Sequence, residues 1–197
     1  MKIYDISQEI YSCNIYPGDP KPEKKELLSI NSGDVCNLTS FSMCAHNGTH
    51  VDAPYHFINS GLRIDELSLQ KTVGYALVVE HSGDISRNDA ELFVCKARNV
   101  QEIGVNKILI KGNATVTYDA ARVFAHAGVE LVGNESQTVG PEDSPKQVHL
   151  ELLQKNVVLL EGIRLSHVPE GVYLLSAAPL NLGGGDGAPC RAVLIEL

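Results

Sequence analysis

Four side chains able to bind a metal or move a proton, His46, His50, Asp52 and His56, fall in one short run, His46-Asn47-Gly48-Thr49-His50-Val51-Asp52-Ala53-Pro54-Tyr55-His56. The chain has seven histidines in all, so three of them in one segment restrict the path its backbone can take. All four positions are even, and alternate residues of an extended strand share a face. A helix would split the set, because at about 100° per residue Asp52 and His56 fall away from His46 and His50. Asn47-Gly48 favours a turn and Pro54 interrupts a helix. A straight strand fails as well, since ten residues at roughly 3.3 Å each would spread the groups over about 33 Å. Imidazole and carboxylate groups are the usual ligands of catalytic divalent ions, at about 2 Å. Gly48 and Pro54 are therefore the expected bends, and His50 and Asp52 can reach one ion without any bend.

The bulk of the chain narrows the function classes. Its 197 residues, 44% of them hydrophobic, suit a single domain spanning 1–197 with a full core. A net charge of −8 without basic clusters argues against nucleic acid and anionic membrane as partners. No apolar run approaches the roughly eighteen residues of a membrane span, and the first residues lack a signal-peptide core. Cys13, Cys36, Cys44, Cys95 and Cys190 are odd in number and form no C-x-x-C. They read as reduced thiols of a cytoplasmic protein. Cys44, two residues before His46, stays open as a further ligand.

Patterning predicts mixed strands and helices. Strands are expected over 1–10, 26–30, 37–43, 75–80, 107–111, 129–132, 157–160, 173–178 and 191–197. Helices are expected over 117–127, stopped by Gly128, and over 149–155. Residues 64–69 form a short loop or helical turn. Together these give one α/β domain.

Two later residues are candidates to complete the site. His149 lies in or just before the second helix. Glu161 ends the apolar run Val157-Val158-Leu159-Leu160, where a charge needs a partner or water. Three histidines and two carboxylates suit one ion with a nearby base, or two ions sharing carboxylates. The run Gly183-Gly184-Gly185-Asp186-Gly187-Ala188 formally contains G-x-G-x-x-A, but Pro189 and a strand-like tail follow where a nucleotide-binding helix should begin. Close backbone approach at the site is its expected role. No P-loop and no G-x-S-x-G elbow is present.

The run from His46 to His56 resembles the H-x-G-T-H-x-D-x-P-x-H signature of the putative cyclase family, which includes bacterial kynurenine formamidase and isatin hydrolase. Tyr16-Pro17-Gly18-Asp19 resembles the family's W-P-G-D loop. Gly140-Pro141-Glu142-Asp143-Ser144, Leu160-Glu161-Gly162 and Asp186-Gly187-Ala188-Pro189 also match. The resemblance implies a mixed α/β domain with a small barrel-like sheet and flanking helices, the swivelling β/β/α cyclase-like fold. It implies that His46, His50 and Asp52 bind a first ion, that Asp52 and Glu161 bridge to a second, and that His149 binds the second. It makes His56 the proton carrier rather than a ligand.

By the same resemblance the ion is Zn or Mn, one or two per site, and the assembly is a homodimer or homotetramer, with the N-terminal strand reaching a neighbour. The implied reaction is hydrolysis of N-formylkynurenine or a similar N-formyl aryl amine by a metal-activated hydroxide. A cyclic-amide hydrolase and a non-catalytic metal- or ligand-binding protein are the alternatives. Three departures point to an altered substrate pocket. Tyr16 replaces a substrate-stacking Trp, Lys111-Gly112-Asn113 replaces Arg-Thr-Gly, and Asn134-Glu135-Ser136 replaces an Ile-Asp-Thr type sequence.

Overall fold

The computed structural model describes residues 1–100 and 104–196. Strands β1 (Lys2–Asp5), β2 (Glu23–Leu28), β3 (Leu38–Ser42), β4 (His50–Asp52), β5 (Val73–Glu80) and β6 (Gly83–Ile85) precede helix α1 (Arg87–Arg98). Then come β7 (Lys107–Lys111), β8 (Ala114–Val116), α2 (Tyr118–His126), β9 (Leu131–Asn134), α3 (Lys146–Leu153) and β10 (Val158–Glu161). Strands β11 (Gly171–Ser176), β12 (Gly187–Pro189) and β13 (Val193–Glu196) complete the described chain.

Nine strands form one sheet in the order β1-β13-β11-β5-β7-β9-β10-β4-β12. The apolar runs of β5, β7, β9 and β10 form its parallel centre, covered on both faces, which is why they are continuous rather than alternating. One face packs against all three helices. Leu77, Val79, Ile108, Ile110, Val132 and Leu159 meet Phe93, Phe124 and Leu152 there. The alternate residues Ala76, Val78, Leu109, Leu131, Val158 and Leu160 line a second core. That core joins Tyr4 on one edge strand to Ala188 on the other, so the sheet curls into a half-barrel around it.

Several expectations need correction. The first strand ends at Asp5, not Ile10, because the Ser7 amide turns back to the Asp5 carboxylate at 3.1 Å and Ile10 enters a 3-10 turn capped by Glu9. That strand pairs with β13 of its own chain at one edge of the large sheet. Helix α1 was not expected, although Ser86 and Asp89 make a capping box and Ala90, Phe93, Val94 and Ala97 have helical spacing. Helix α3 starts at Lys146, three residues before the expected boundary, so His149 sits inside its first turns. The glycine-rich run holds a strand, β12, and of the last expected strand Leu197 lies outside the described residues. Among the described residues no helix is long and apolar enough to cross a membrane.

Candidate metal centre

Strand β4 is the centre of the site, lying between β10 and β12. His50 and Asp52 point to the same face, as their spacing requires, and both are 1% exposed. Glu161 lies directly across from His50 in the β4–β10 ladder, which brings it onto that face. Both expected bends are present. Gly48 has φ +66°, and Pro54 opens a 3-10 turn over Pro54–His56. The first swings His46 back over β4, and the second swings His56 back from the other end.

The ring nitrogens are sorted by backbone carbonyls. His50 Nδ1 donates to the Gly48 carbonyl at 3.0 Å and His149 Nδ1 to the Pro145 carbonyl at 2.9 Å. Each therefore presents Nε2 to the carboxylates, the arrangement in which a second hydrogen bond orients a metal-binding imidazole. His50 Nε2 lies 3.3 Å from Asp52 Oδ1 and 3.4 Å from Glu161 Oε2. His149 Nε2 lies 3.2 Å from Glu161 Oε1 and 3.7 Å from Asp52 Oδ2. His46 Nδ1 is 2.8 Å from Asp52 Oδ1, while its Nε2 is 2.9 Å from Asp186 Oδ2. Glu161 Oε1 also accepts the Val139 amide at 2.8 Å.

Three donor triads result: His46/His50/Asp52 and Asp52/His149/Glu161, which are mostly buried and have Asp52 in common, and the more open His46/His56/Asp186. Donors at about 2.1 Å from a tetrahedral ion stand about 3.4 Å apart, and the contacts within the two sets that share Asp52, from 2.8 to 3.7 Å, bracket that value. Asp52 Oδ2 is buried without any hydrogen-bond partner, a costly state for a carboxylate oxygen unless a cation sits beside it. The donor set therefore fits a divalent ion bound by nitrogen and oxygen. Cys44 belongs to none of the triads.

Electrostatics agree with this geometry. Burial alone would depress the His46 imidazole, but Asp52 and Asp186 flank both its nitrogens and raise it to about 11. His50, also opposed by burial, is raised to about 9 by Asp52 and Glu161. Burial would lift the Asp52 carboxyl, but the charges and hydrogen bonds of His46 and His50 hold it well below its ordinary range. His56 differs from the other three, since burial lowers it. Its ring stacks on His46 with centroids 4.0 Å apart, and its Nδ1 is 3.2 Å from Asp186 Oδ2.

The histidines and Glu161 open into a cavity of about 280 Å³, also lined by Tyr16, Asp19, Phe57, Gln137, Thr138 and Pro145. Tyr16 thus lies in the cavity wall, its hydroxyl donating to the Glu142 carbonyl at 2.8 Å. All of the candidate residues, His46, His50, Asp52, His56, His149, Glu161 and Tyr16, meet in or beside this cavity. Lys111 and Asn134 do not line it, so of the departures noted in the sequence only Tyr16 touches the cavity. Residue-by-residue reading missed Asp186, Phe57 and Thr138. For Asp186 a signal existed in the glycines around it. A Cβ on Gly187 would lie 2.6 Å from His46 Cε1, so only glycine lets this strand pass the ring.

Comparison with known proteins agrees with this geometry. The family model described as putative cyclase matches residues 4–141. A protein named kynurenine formamidase from Salinibacter ruber is 36% identical over 210 residues, covering 98% of this chain and 97% of the relative. A solved structure of a predicted metal-dependent hydrolase from Bacillus stearothermophilus is 28% identical, with a TM-score of 0.78 over 98% of this chain and 97% of that one. An isatin hydrolase A from Labrenzia aggregata shares the fold at 18% identity, with a TM-score of 0.79 over 98% of this chain and 93% of its own. With its signature segment folded into these triads and its whole length matched, this chain belongs to the putative cyclase family.

Proposed function

We propose that the chain, acting as one domain over 1–197, is a metal-dependent amide hydrolase of the arylformamidase type, with N-formylkynurenine or a similar N-formyl aryl amine as substrate. The observation that carries this reading is the pair of buried triads sharing Asp52, whose Oδ2 is buried without a hydrogen-bond partner, beside His56, which stands outside that pair in the open group with His46 and Asp186. The relatives named kynurenine formamidase support the substrate class. His46, His50 and Asp52 hold one divalent ion, Zn or Mn, and Asp52, His149 and Glu161 hold a second where two are bound. Such an ion supplies a nucleophilic water at neutral pH and polarises the carbonyl of the amide.

The remaining chemistry falls to the protein's own side chains. An amide nitrogen leaves poorly as an anion, so it needs a proton as the C–N bond breaks. His56 stands at the cavity wall and carries that proton, because burial keeps its imidazole neutral and able to accept before it donates. Tyr16 offers an aromatic face to the aryl ring of the substrate. Phe57 packs on the His149 ring at 4.6 Å between centroids, holding that ligand and excluding water beside it.

The assembly is a homodimer or homotetramer located in the cytoplasm. Supporting the assembly, the ribbon of β2 and β3 pairs only with itself among the described residues, and with the loop that joins its strands it exposes Leu27, Ile30, Val35, Leu38 and Phe41. An isolated two-stranded ribbon is marginal in water, so a neighbouring copy is the expected cover.

The decisive experiment is hydrolysis of N-formyl-L-kynurenine by zinc- or manganese-loaded protein, with His56→Ala as control. A kcat/KM of about 10⁴ M⁻¹s⁻¹ or more is expected. The control should lose about 10²- to 10⁴-fold in kcat while keeping its metal. Absence of turnover with metal demonstrably bound overturns the substrate reading. Loss of metal in the control overturns the role of His56.

A further inference from the structure

The carboxylate of Asp186 touches both His46 and His56 and forms with them the open donor group, but it lies outside the two buried triads that share Asp52, and its contacts to the two rings are hydrogen bonds. Its Oδ2 is 2.9 Å from His46 Nε2 and 3.2 Å from His56 Nδ1. The two rings it joins are stacked, with centroids 4.0 Å apart and planes at 28°. We propose that Asp186 is the positioning residue of this site, a single carboxylate oxygen that clamps the metal-binding His46 and the proton-carrying His56 to one another and fixes the ring edges they present. The inference rests on the role given to His56 above.

The fold delivers this carboxylate with little freedom. The Asp186 carbonyl accepts the Ala53 amide at 3.0 Å, and the Gly185 carbonyl accepts the Ile64 amide at 2.9 Å. Directly after Asp186, Gly187 pairs with Asp52 in the β4–β12 ladder. Gly187 has no room for a Cβ against His46, and a Cβ on Gly185 would stand 3.1 Å from both Ile64 Cγ2 and the Leu182 carbonyl. The glycine-rich run is therefore the path that lets an acidic side chain reach the back of the two rings.

The consequence is a choice of tautomer. A carboxylate accepts hydrogen bonds, so the neutral His56 ring placed against Asp186 carries its proton on Nδ1. Its Nε2 is then an unprotonated acceptor. A proton carrier must begin in that state, taking a proton from the attacking water before giving it to the departing nitrogen. With Asp186 removed, nothing in the structure selects Nδ1–H, because Asp186 is the partner of that atom. On His46 the same oxygen orients the ring so that Nδ1 faces Asp52 and the first triad.

The test uses zinc-loaded protein labelled with ¹⁵N-histidine, comparing wild type, Asp186→Ala and Asp186→Asn at saturating zinc. Two-bond ¹H–¹⁵N correlations report the tautomer of each ring, with His56→Gln identifying the His56 signals. The wild type is expected to show His56 as Nδ1–H. Asp186→Ala should move it toward Nε2–H and lower kcat by about 10- to 100-fold with little change in KM, the scale of lost outer-shell contacts. Asp186→Asn, whose amide oxygen can still accept from Nδ1–H, should keep the tautomer and recover part of kcat.

An unchanged His56 tautomer in Asp186→Ala, or wild-type kcat in that variant, overturns the proposal even if N-formylkynurenine is hydrolysed. A tautomer change in a protein that hydrolyses no N-formyl aryl amine upholds the clamp and overturns the arylformamidase reading instead. The Asp186 side chain is 44% exposed, so its truncation is tolerated by the fold, and the thermal transition of each variant verifies this.

Discussion

Metal binding to this centre should be steeply dependent on pH, with a slope set by the histidines. In the metal-free protein His46 is raised to about 11 and His50 to about 9, so both rings are protonated near neutrality. The carboxyls of Asp52 and Glu161 are both held low, despite burial, by the surrounding histidines, so they are already ionised and release nothing. An ion coordinated by His46 and His50 must displace two protons, and each displaced proton changes the affinity tenfold per pH unit. The dissociation constant for Zn²⁺ should therefore fall about 10⁴-fold between about pH 6 and about pH 8. His149, raised by Glu161 and Asp52 against burial, adds to the slope if a second ion binds. Isothermal titration calorimetry in buffers of different ionisation enthalpy counts the protons directly. Release of fewer than about one proton per ion would refute the reasoning, because it would mean that the ligand histidines are neutral before the metal arrives.

Three other outcomes follow from the same arrangement of groups. Because His46 and His50 have folded-state values above the ordinary 6.5, the stability they add is fully present below about pH 6.5 and is lost as pH rises through about 9 and then about 11. The thermal midpoint of metal-free protein should accordingly fall from about pH 7 to about pH 10, and the stabilisation by added zinc should widen; a flat profile contradicts the ion pairing. Gly187→Ala places a Cβ 2.6 Å from His46 Cε1 and 2.9 Å from the Val51 carbonyl. It should weaken zinc binding by about 10- to 100-fold in a chelator competition assay, as expected when the setting of a ligand is disturbed. Phe41→Glu puts a charge on the exposed apolar ribbon of β2 and β3, where Phe41 is 59% exposed. Light scattering should show a smaller assembly with its metal content intact, and an unchanged mass would remove the ribbon from the interface.

The core strands were readable because burial on both faces leaves a local mark, the unbroken apolar runs from Ala76 to Val79 and from Ile108 to Ile110. Helix α2 was readable for a similar reason, since Thr117 caps it and Gly128 follows its end. Helix α1 carried an equally local mark in Ser86, Asp89 and the spacing of its buried residues, but its many charged residues concealed the apolar stripe. Strand β12 had no local mark. It is three residues long and ends in Pro189, which a sheet tolerates because β12 is the edge strand.

By itself the sequence determined which atoms the site would use. The spacing of His46, His50, Asp52 and His56, with Gly48 and Pro54 between them, required a bent strand that gathers nitrogen and oxygen donors on one face. What only the tertiary structure decided is how that half-site is completed. Glu161 reaches His50 through a cross-strand pair, His149 arrives from a helix packed on the same sheet face as Leu159, and Asp186 arrives just before an edge strand more than a hundred residues from His56. Local spacing constrains a backbone only over a few residues, whereas these approaches depend on the curl of a nine-stranded sheet whose two edges enclose one core.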